Sequence, residues 1–218
     1  MGKVIMSGLV SEMTVPVKPL MLGDIVEGQI ITIKENNNPV EFYVAKHNYE
    51  EGLNGKGRTL VVMRNFRSKR WGTRDNGNKY ATSSVDYYLN NECKNNFSAT
   101  IQRAMGTTKF YYTVDGISKT LTTLERSIFL PSAKELAAVD NPSGMGEEGS
   151  ILPNFELYTQ GFAQWTRSPW LDTQINVCYV EPGTRHLNNA LPDDSFPLRP
   201  IFTLPSTTKL NPDRSVIE

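Results

Sequence analysis

Toward the C-terminus three short β-prone runs follow one another, the outer two punctuated by arginine and proline. They are Gln164-Trp165-Thr166-Arg167-Ser168-Pro169-Trp170, then Ile175-Asn176-Val177-Cys178-Tyr179-Val180, then Phe196-Pro197-Leu198-Arg199-Pro200-Ile201-Phe202-Thr203-Leu204-Pro205. β-Branched and aromatic residues favour strands, and prolines confine those strands to short lengths. The connecting segments, residues 170–175 and 184–195, carry few structural obligations of their own. Loops held by strands at both ends are where binding residues concentrate.

Trp165-Thr166-Arg167-Ser168-Pro169, followed by Leu198-Arg199-Pro200-Ile201-Phe202-Thr203-Leu204-Pro205, resembles the C-terminal signature of a family of uncharacterised domains from Gram-positive gut bacteria and their phages. That signature reads Trp-x-Arg-Ser-Pro, a Gly-containing turn, then Arg-Pro-Ala-Phe-x-Leu. Earlier stretches match as well: Gly23-Asp24-Ile25-Val26, Pro39-Val40-Glu41-Phe42, His47-Asn48-Tyr49, Gly52-Leu53-Asn54-Gly55, Gly57-Arg58-Thr59-Leu60, Val85-Asp86-Tyr87-Tyr88-Leu89-Asn90 and Gly106-Thr107-Thr108-Lys109-Phe110-Tyr111-Tyr112. The resemblance spans residues 23–208. It implies an α+β, C-type-lectin-like fold of mixed antiparallel sheets with two or three short helices, related to the formylglycine-generating enzymes and to hypervariable phage tropism proteins. It implies no known activity.

A chain of 218 residues is long enough to bury a core as one large domain, or as a domain plus an arm. Its 23 basic and 23 acidic residues cancel, so no global field draws it to nucleic acid or to an anionic membrane. One basic cluster, Arg64, Arg67, Lys69, Arg70 and Arg74, is interleaved with Phe66 and Trp71 and reads as a solvated loop rather than a phosphate site. Cys93 and Cys178 form no CxxC pair, and His47 and His186 are the only histidines available beside them, so no zinc site and no disulfide are expected. The start, Met1 to Glu12, lacks the apolar run of a signal peptide, and no stretch approaches a membrane span. The expected setting is a virion protein assembled in the bacterial cytoplasm.

Residues 1–22 hold Pro16 and Pro19 among Val15, Val17, Leu20, Met21 and Leu22 without a helical stripe, and read as an assembly arm. Ile25–Lys34 and Val40–Lys46, joined by Glu35-Asn36-Asn37-Asn38-Pro39, predict a β-hairpin, with a third strand over residues 58–64 after a Gly-rich loop. Ser83 or Ser84 caps a helix over residues 85–90, and Ser98 caps a second over 99–105 that Gly106 stops. A strand pair is predicted at 110–113 and 126–130, and the capping box Ser132-Ala133-Lys134-Glu135 opens a helix to Val139. Residues 140–153 read as a loop, and residues 209–218 as a polar tail.

Cys178 lies alone in an alternating strand, where a cysteine behaves as a small hydrophobe, so an oxidase of the formylglycine-generating type is the second alternative. Glu181-Pro182-Gly183 lacks the amide oxygen that a sugar-binding lectin uses on calcium, and neither histidine has a nucleophile beside it. Arg167 and Arg199 read as guanidinium locks on the C-terminal sheet, and Trp165 as core. That leaves a binding surface on the loops: Trp170, Asp172, Gln174, Arg185, His186, Asn188 and Asn189, with no catalytic residue, metal or cofactor. The expected role is a phage or prophage virion structural protein (tail, fibre or capsid-decorating). Its partners are other virion proteins through the arm, a host surface protein or glycan, and further copies of itself. A bacterial cell-surface binding module is the first alternative.

Overall fold

Asn36 and Asn37 both adopt left-handed backbone angles (φ 49° and 63°), so the chain reverses within two residues. The computed structural model describes residues 18–139 and 146–218. Its strands are β1 (Leu20–Met21), β2 (Ile30–Glu35), β3 (Asn38–His47), β4 (Arg58–Met63), β5 (Arg67–Arg70), β6 (Thr108–Thr113), β7 (Leu121–Arg126), β8 (Gln164–Pro169), β9 (Val177–Val180), β10 (Leu187–Ala190), β11 (Ser195–Leu198), β12 (Ile201–Pro205) and β13 (Lys209–Leu210). Short helices α1 (Glu51–Asn54), α2 (Ser84–Tyr87), α3 (Ala99–Met105) and α4 (Phe155–Tyr158) lie between them. The architecture is mixed α+β, with antiparallel strands gathered in several small open sheets.

The largest sheet has the order β12-β4-β3-β2, and a bulge between Val44 and Lys46 bends its middle. One face carries Ile31, Ile33, Phe42, Val44, Val61 and Phe202, all buried. Phe42, Phe97 and Phe202 meet edge-on or tilted on that face, with ring centroids 5.3–6.3 Å apart. Ser98 caps α3 by accepting the Ile101 N–H at 3.2 Å, and Ser83 caps α2 by accepting that of Asp86 at 3.0 Å. Gly106 closes α3 at φ 56°. The C-terminal half carries the sheet β10-β9-β8, whose Trp165 on β8 is fully buried.

Several expected boundaries move. The first hairpin strand begins at Ile30 rather than Ile25, and α1 forms inside the Gly-rich loop. The helix expected over 85–90 passes into a π-helical turn, Tyr88–Cys93. The partner of β6 is Leu121–Arg126, not residues 126–130, because the Val114 N–H bonds the Thr120 carbonyl at 2.9 Å and closes the turn early. Ile128, Phe129 and Leu130 are all buried, and Phe129 pairs instead with Ile201. A wholly apolar run of that kind has no alternation from which to assign a partner.

The capping box forms, with Glu135 N donating to Ser132 Oγ at 3.0 Å and Ser132 N to Glu135 Oε2 at 2.9 Å. Only a turn follows, because Ala137 has φ 50°. Packed structure also extends beyond residues 23–208. Leu20 and Met21 pair with Leu210 and Lys209, Leu22 is fully buried, and Val216 docks on Thr32 with its N–H 2.9 Å from the Thr32 carbonyl. The segment from 209 to 218 is therefore part of the domain and not a frayed tail. Of the expected arm, residues 1–17 lie outside the described residues, as do 140–145 of the expected loop.

Candidate functional site

The Arg167-Ser168 pair at the end of β8 points inward, into a polar cluster with no solvent access. Arg167 Nη1 donates to Glu135 Oε2 at 2.6 Å and to the Leu130 carbonyl at 2.9 Å, and its Nε donates to the Tyr111 carbonyl at 2.9 Å. The guanidinium also lies 4.9 Å from the ring centre of Phe110. Burial alone would lower its pKa, but Glu135 and the neighbouring acids reverse this and hold it charged. Tyr49 donates to Glu135 Oε1 at 2.5 Å, and burial pushes its phenol well up. Ser168 donates to Glu148, which also accepts the Thr113 N–H, and burial raises the Glu148 carboxyl. The cluster ties β8, β6, the Ser132 turn and the Glu148 segment together. Beyond it, the chain enters the 170–176 loop with its starting point fixed.

Asn78, fully buried, holds that loop from the other side. Its Nδ2 lies 3.3, 3.1 and 2.9 Å from the carbonyls of Trp170, Thr173 and Asn176, and its Oδ1 accepts the Gly116 N–H at 3.2 Å. Its own N–H bonds the Gln174 carbonyl at 3.1 Å. Two glycines permit the approach. A Cβ on Gly116 would collide with the Trp170 and Thr173 carbonyls, and one on Gly77 (φ 62°) would stand 2.6 Å from the Gln174 carbonyl.

Three remote segments thus meet by backbone contact and leave an open cleft of about 280 Å³. Its walls include Arg74, Asn76, Lys79, Asp115, Ile117 and Gln174. Asp115 accepts the N–H groups of Ile117 and Ser118, and these hold its carboxyl below the usual range. The lining mixes cations, carboxylates, amides and two isoleucines on a scaffold whose backbone is already locked.

The expected site residues divide between two places. Trp170 is half-buried against the core. Asp172 (φ 65°) is exposed, bonds the Gly116 carbonyl through its N–H at 2.9 Å and pairs with Lys119 at 2.6 Å. Gln174 alone of the seven lines the cleft. Arg185 sits at the far end of β9, its guanidinium 4.7 Å from the Phe155 ring centre and 3.3 Å from the Ala137 carbonyl. His186 is beside it, 4.0 Å from Glu181. Asn188 and Asn189 are strand residues of β10, paired with Tyr179 and Cys178, and not loop residues as expected. Asn188 reaches Glu181 at 3.3 Å, and Asn189 accepts from Asn176 at 2.6 Å. The 170–176 loop meets β9 at Val177, while the Arg185 turn leaves from Val180. About 10 Å of strand, at ~3.3 Å per residue, separates the two groups.

Sequence reasoning missed Asn78, Lys79, Asp115 and Arg74 as neighbours of Gln174. The available signals were the turn residues Asn76-Gly77 and Asp115-Gly116, which mark where backbones can approach. The basic stretch, for its part, is mostly opposed within the fold. Arg64 pairs with Glu41 (2.6 Å), Arg67 with Glu35, Lys69 with Glu92 (3.8 Å), and Arg74 with Asp193 (3.0 Å). Arg199 donates to the carbonyls of Arg64 and Gln160 and so joins two loops.

Cys178 is fully buried, its thiol donating to the Pro169 carbonyl at 3.3 Å, and burial pushes its pKa well up. Among the described residues no group of three His, Cys, Asp or Glu side chains is placed to hold a metal ion, and no helix is long and apolar enough to cross a membrane.

No curated protein and no solved structure matches the chain. A protein-family model described as a domain of unknown function, DUF6273, matches residues 56–206. That span runs from the start of β4 to the end of β12 and holds the Arg167 cluster apart from Tyr49, the Asn78 clamp and the whole cleft. On that match, which covers more than half of its length, the chain belongs to the DUF6273 family.

Proposed function

We propose that this chain is a non-catalytic structural protein of a phage or prophage virion. In this reading a C-type-lectin-like domain attaches the particle to a protein or glycan of the host surface, and the contact is made at the cleft around Gln174. The observation that carries the reading is the Asn78 clamp. One buried amide gathers three loop carbonyls around its two N–H donors and accepts one amide N–H, so the cleft exists before any ligand arrives. Preorganisation of this kind removes the cost of ordering loops on binding. The packing role of Cys178 supports attachment over oxidation. The pairing of the basic stretch with Glu35, Glu41, Glu92 and Asp193 supports a partner other than nucleic acid. The arm, residues 1–17 of which lie outside the described residues, carries attachment to other virion proteins in this reading, and copies of the chain associate with one another.

The test is adsorption. Particles carrying Lys79→Ala with Gln174→Ala should bind host cells at least about tenfold more weakly, a loss of ~1.4 kcal/mol, while incorporating the protein in normal amount. Normal adsorption by those particles would overturn the cleft as the contact. Absence of the protein from purified particles would overturn the virion role in favour of a bacterial surface module.

A further inference from the structure

The β6-β7 hairpin has one covered edge and one open one. In an antiparallel pair, hydrogen-bonded and non-bonded positions alternate. The Val114 N–H bonds the Thr120 carbonyl, which fixes the parity: residues 120, 122, 124 and 126 face β6, and 121, 123 and 125 face away. The other side of the hairpin agrees. The N–H and carbonyl of Lys109 both meet the Asn54 side chain (2.8 and 2.9 Å), the Tyr111 carbonyl meets Arg167, and the Thr113 N–H meets Glu148. On β7, among the described residues, only the Glu125 carbonyl is met, by its own neighbour Arg126 at 2.9 Å. The N–H groups of Leu121, Thr123 and Glu125 and the carbonyls of Leu121 and Thr123 have no partner there, and Leu121 is 43% exposed. By contrast the outer edge of β2 is covered, with Thr32 bonded on both sides to Arg214 and Val216.

We propose that the outer edge of β7 pairs with the same edge of a second copy of this chain, through a two-fold axis at Thr123. The rows match themselves. Thr123 of each copy donates to and accepts from Thr123 of the other, and Leu121 pairs with Glu125 of the second copy at both ends. No like charges stand opposite one another. The nearest charge across the pair from Glu125 is Lys119, two positions beyond Leu121 and of opposite sign. An open strand edge is a template for another strand, and a two-fold contact uses the same patch twice and then closes. This names the surface for the self-association included in the reading above and rests on the hairpin parity alone.

The experiment is sedimentation of the full chain beside Thr123→Pro. The Thr123 N–H points away from β6, so proline removes no bond within the hairpin. The expected result is a dimer for the unmodified chain and half that mass for the variant, with the variant folded by circular dichroism and its melting temperature independent of concentration. A monomeric unmodified chain, or a dimer that survives Thr123→Pro, overturns the proposal; the second result leaves self-association standing through some other surface. Amide hydrogen exchange on the unmodified chain covers the case in which proline disturbs folding. Exchange at Leu121, Thr123 and Glu125 should slow as protein concentration rises, while Thr122 and Leu124 stay protected throughout. Exchange at those three amides that ignores concentration overturns the pairing.

Discussion

Arg167 Nη1 lies 2.6 Å from Glu135 Oε2, and neither side chain has any exposed surface. Removing one partner of such a pair leaves a buried charge without compensation, which typically costs ~3–5 kcal/mol. Arg167→Met should therefore destabilise the domain by about that amount in urea unfolding. Arg167→Met with Glu135→Leu should cost less than Arg167→Met alone, since no stranded carboxylate remains. A loss below about 1 kcal/mol for Arg167→Met, the range of exposed pairs, would refute the pair as a buried structural link.

Trp165 donates from Nε1 to the Lys69 carbonyl at 3.1 Å and meets Phe196 edge-on at 4.7 Å, joining β8 to the β5-β11 pair. Trp165→Ala should cost ~3–5 kcal/mol, the range for truncating a buried aromatic. Measurement of the unfolding free energy decides it, and a change within about 0.5 kcal/mol, as at surface positions, would refute the core assignment.

Asn78→Ala should strip the 170–176 loop of its clamp at a cost of ~1–3 kcal/mol, the range for leaving a buried polar group unsatisfied, because the Asn176 and Trp170 carbonyls keep the Trp170 N–H and the Thr173 hydroxyl while the Thr173 carbonyl loses its donor. The sharper comparison is Asn78→Asp. It keeps the shape but turns an acceptor toward the three carbonyls, so it should be less stable than Ala at neutral pH and regain stability as the carboxyl protonates. Equal stability of the two variants across pH would show that the amide is not the clamp.

Asp86 is buried beside Arg126, which lies 2.9 Å from both carboxyl oxygens. Burial outweighs the arginine and raises the Asp86 pKa from 3.8 to about 6. The folded state therefore holds its proton more tightly than the unfolded chain does. The stabilisation linked to that proton is full below about pH 4 and is lost as pH rises through 6. From this group alone the domain should be ~1 kcal/mol more stable at pH 5 than at pH 7. Burial also raises Glu50 and Glu148, which act in the same direction, so the comparison is with Asp86→Asn, whose gain between the two pH values should be smaller by that increment. Identical pH profiles for the two proteins would rule this out.

What could be read from the sequence was local. Asn36-Asn37 announces a two-residue reversal, Ser83 and Ser98 announce helix starts, and Trp165, Arg167 and Arg199 take the buried roles that their setting between short strands implies. What could not be read depends on partners far along the chain. Residues 126–130 look more strand-like than 121–126, yet the unbroken apolar run Ile128-Phe129-Leu130 goes into the core, with Phe129 beside Ile201. The charges of the basic stretch are opposed by Glu35, Glu41, Glu92 and Asp193, which no spacing rule connects to it. The cleft is half legible: Gln174 reads as a loop residue free to bind and Gly116 as a turn residue, but nothing local marks Asn78 as the group that brings the walls together. His186 and Gln174 looked like members of one surface because both follow strands, and β9 holds them apart.

The pairing of Leu20-Met21 with Lys209-Leu210 has a consequence for how the chain is made. β1 leaves the ribosome long before its partner β13, and β12, which flanks β4 in the main sheet, is likewise made long after β4. Contacts of such high sequence separation give a high contact order and slow folding. During synthesis the β2-β3 hairpin and β4 are complete while one edge of their sheet and the cover of the other are still missing. Nascent chains in this state expose bare strand edges to one another, so a chaperone or slow translation is expected to raise the yield of folded protein.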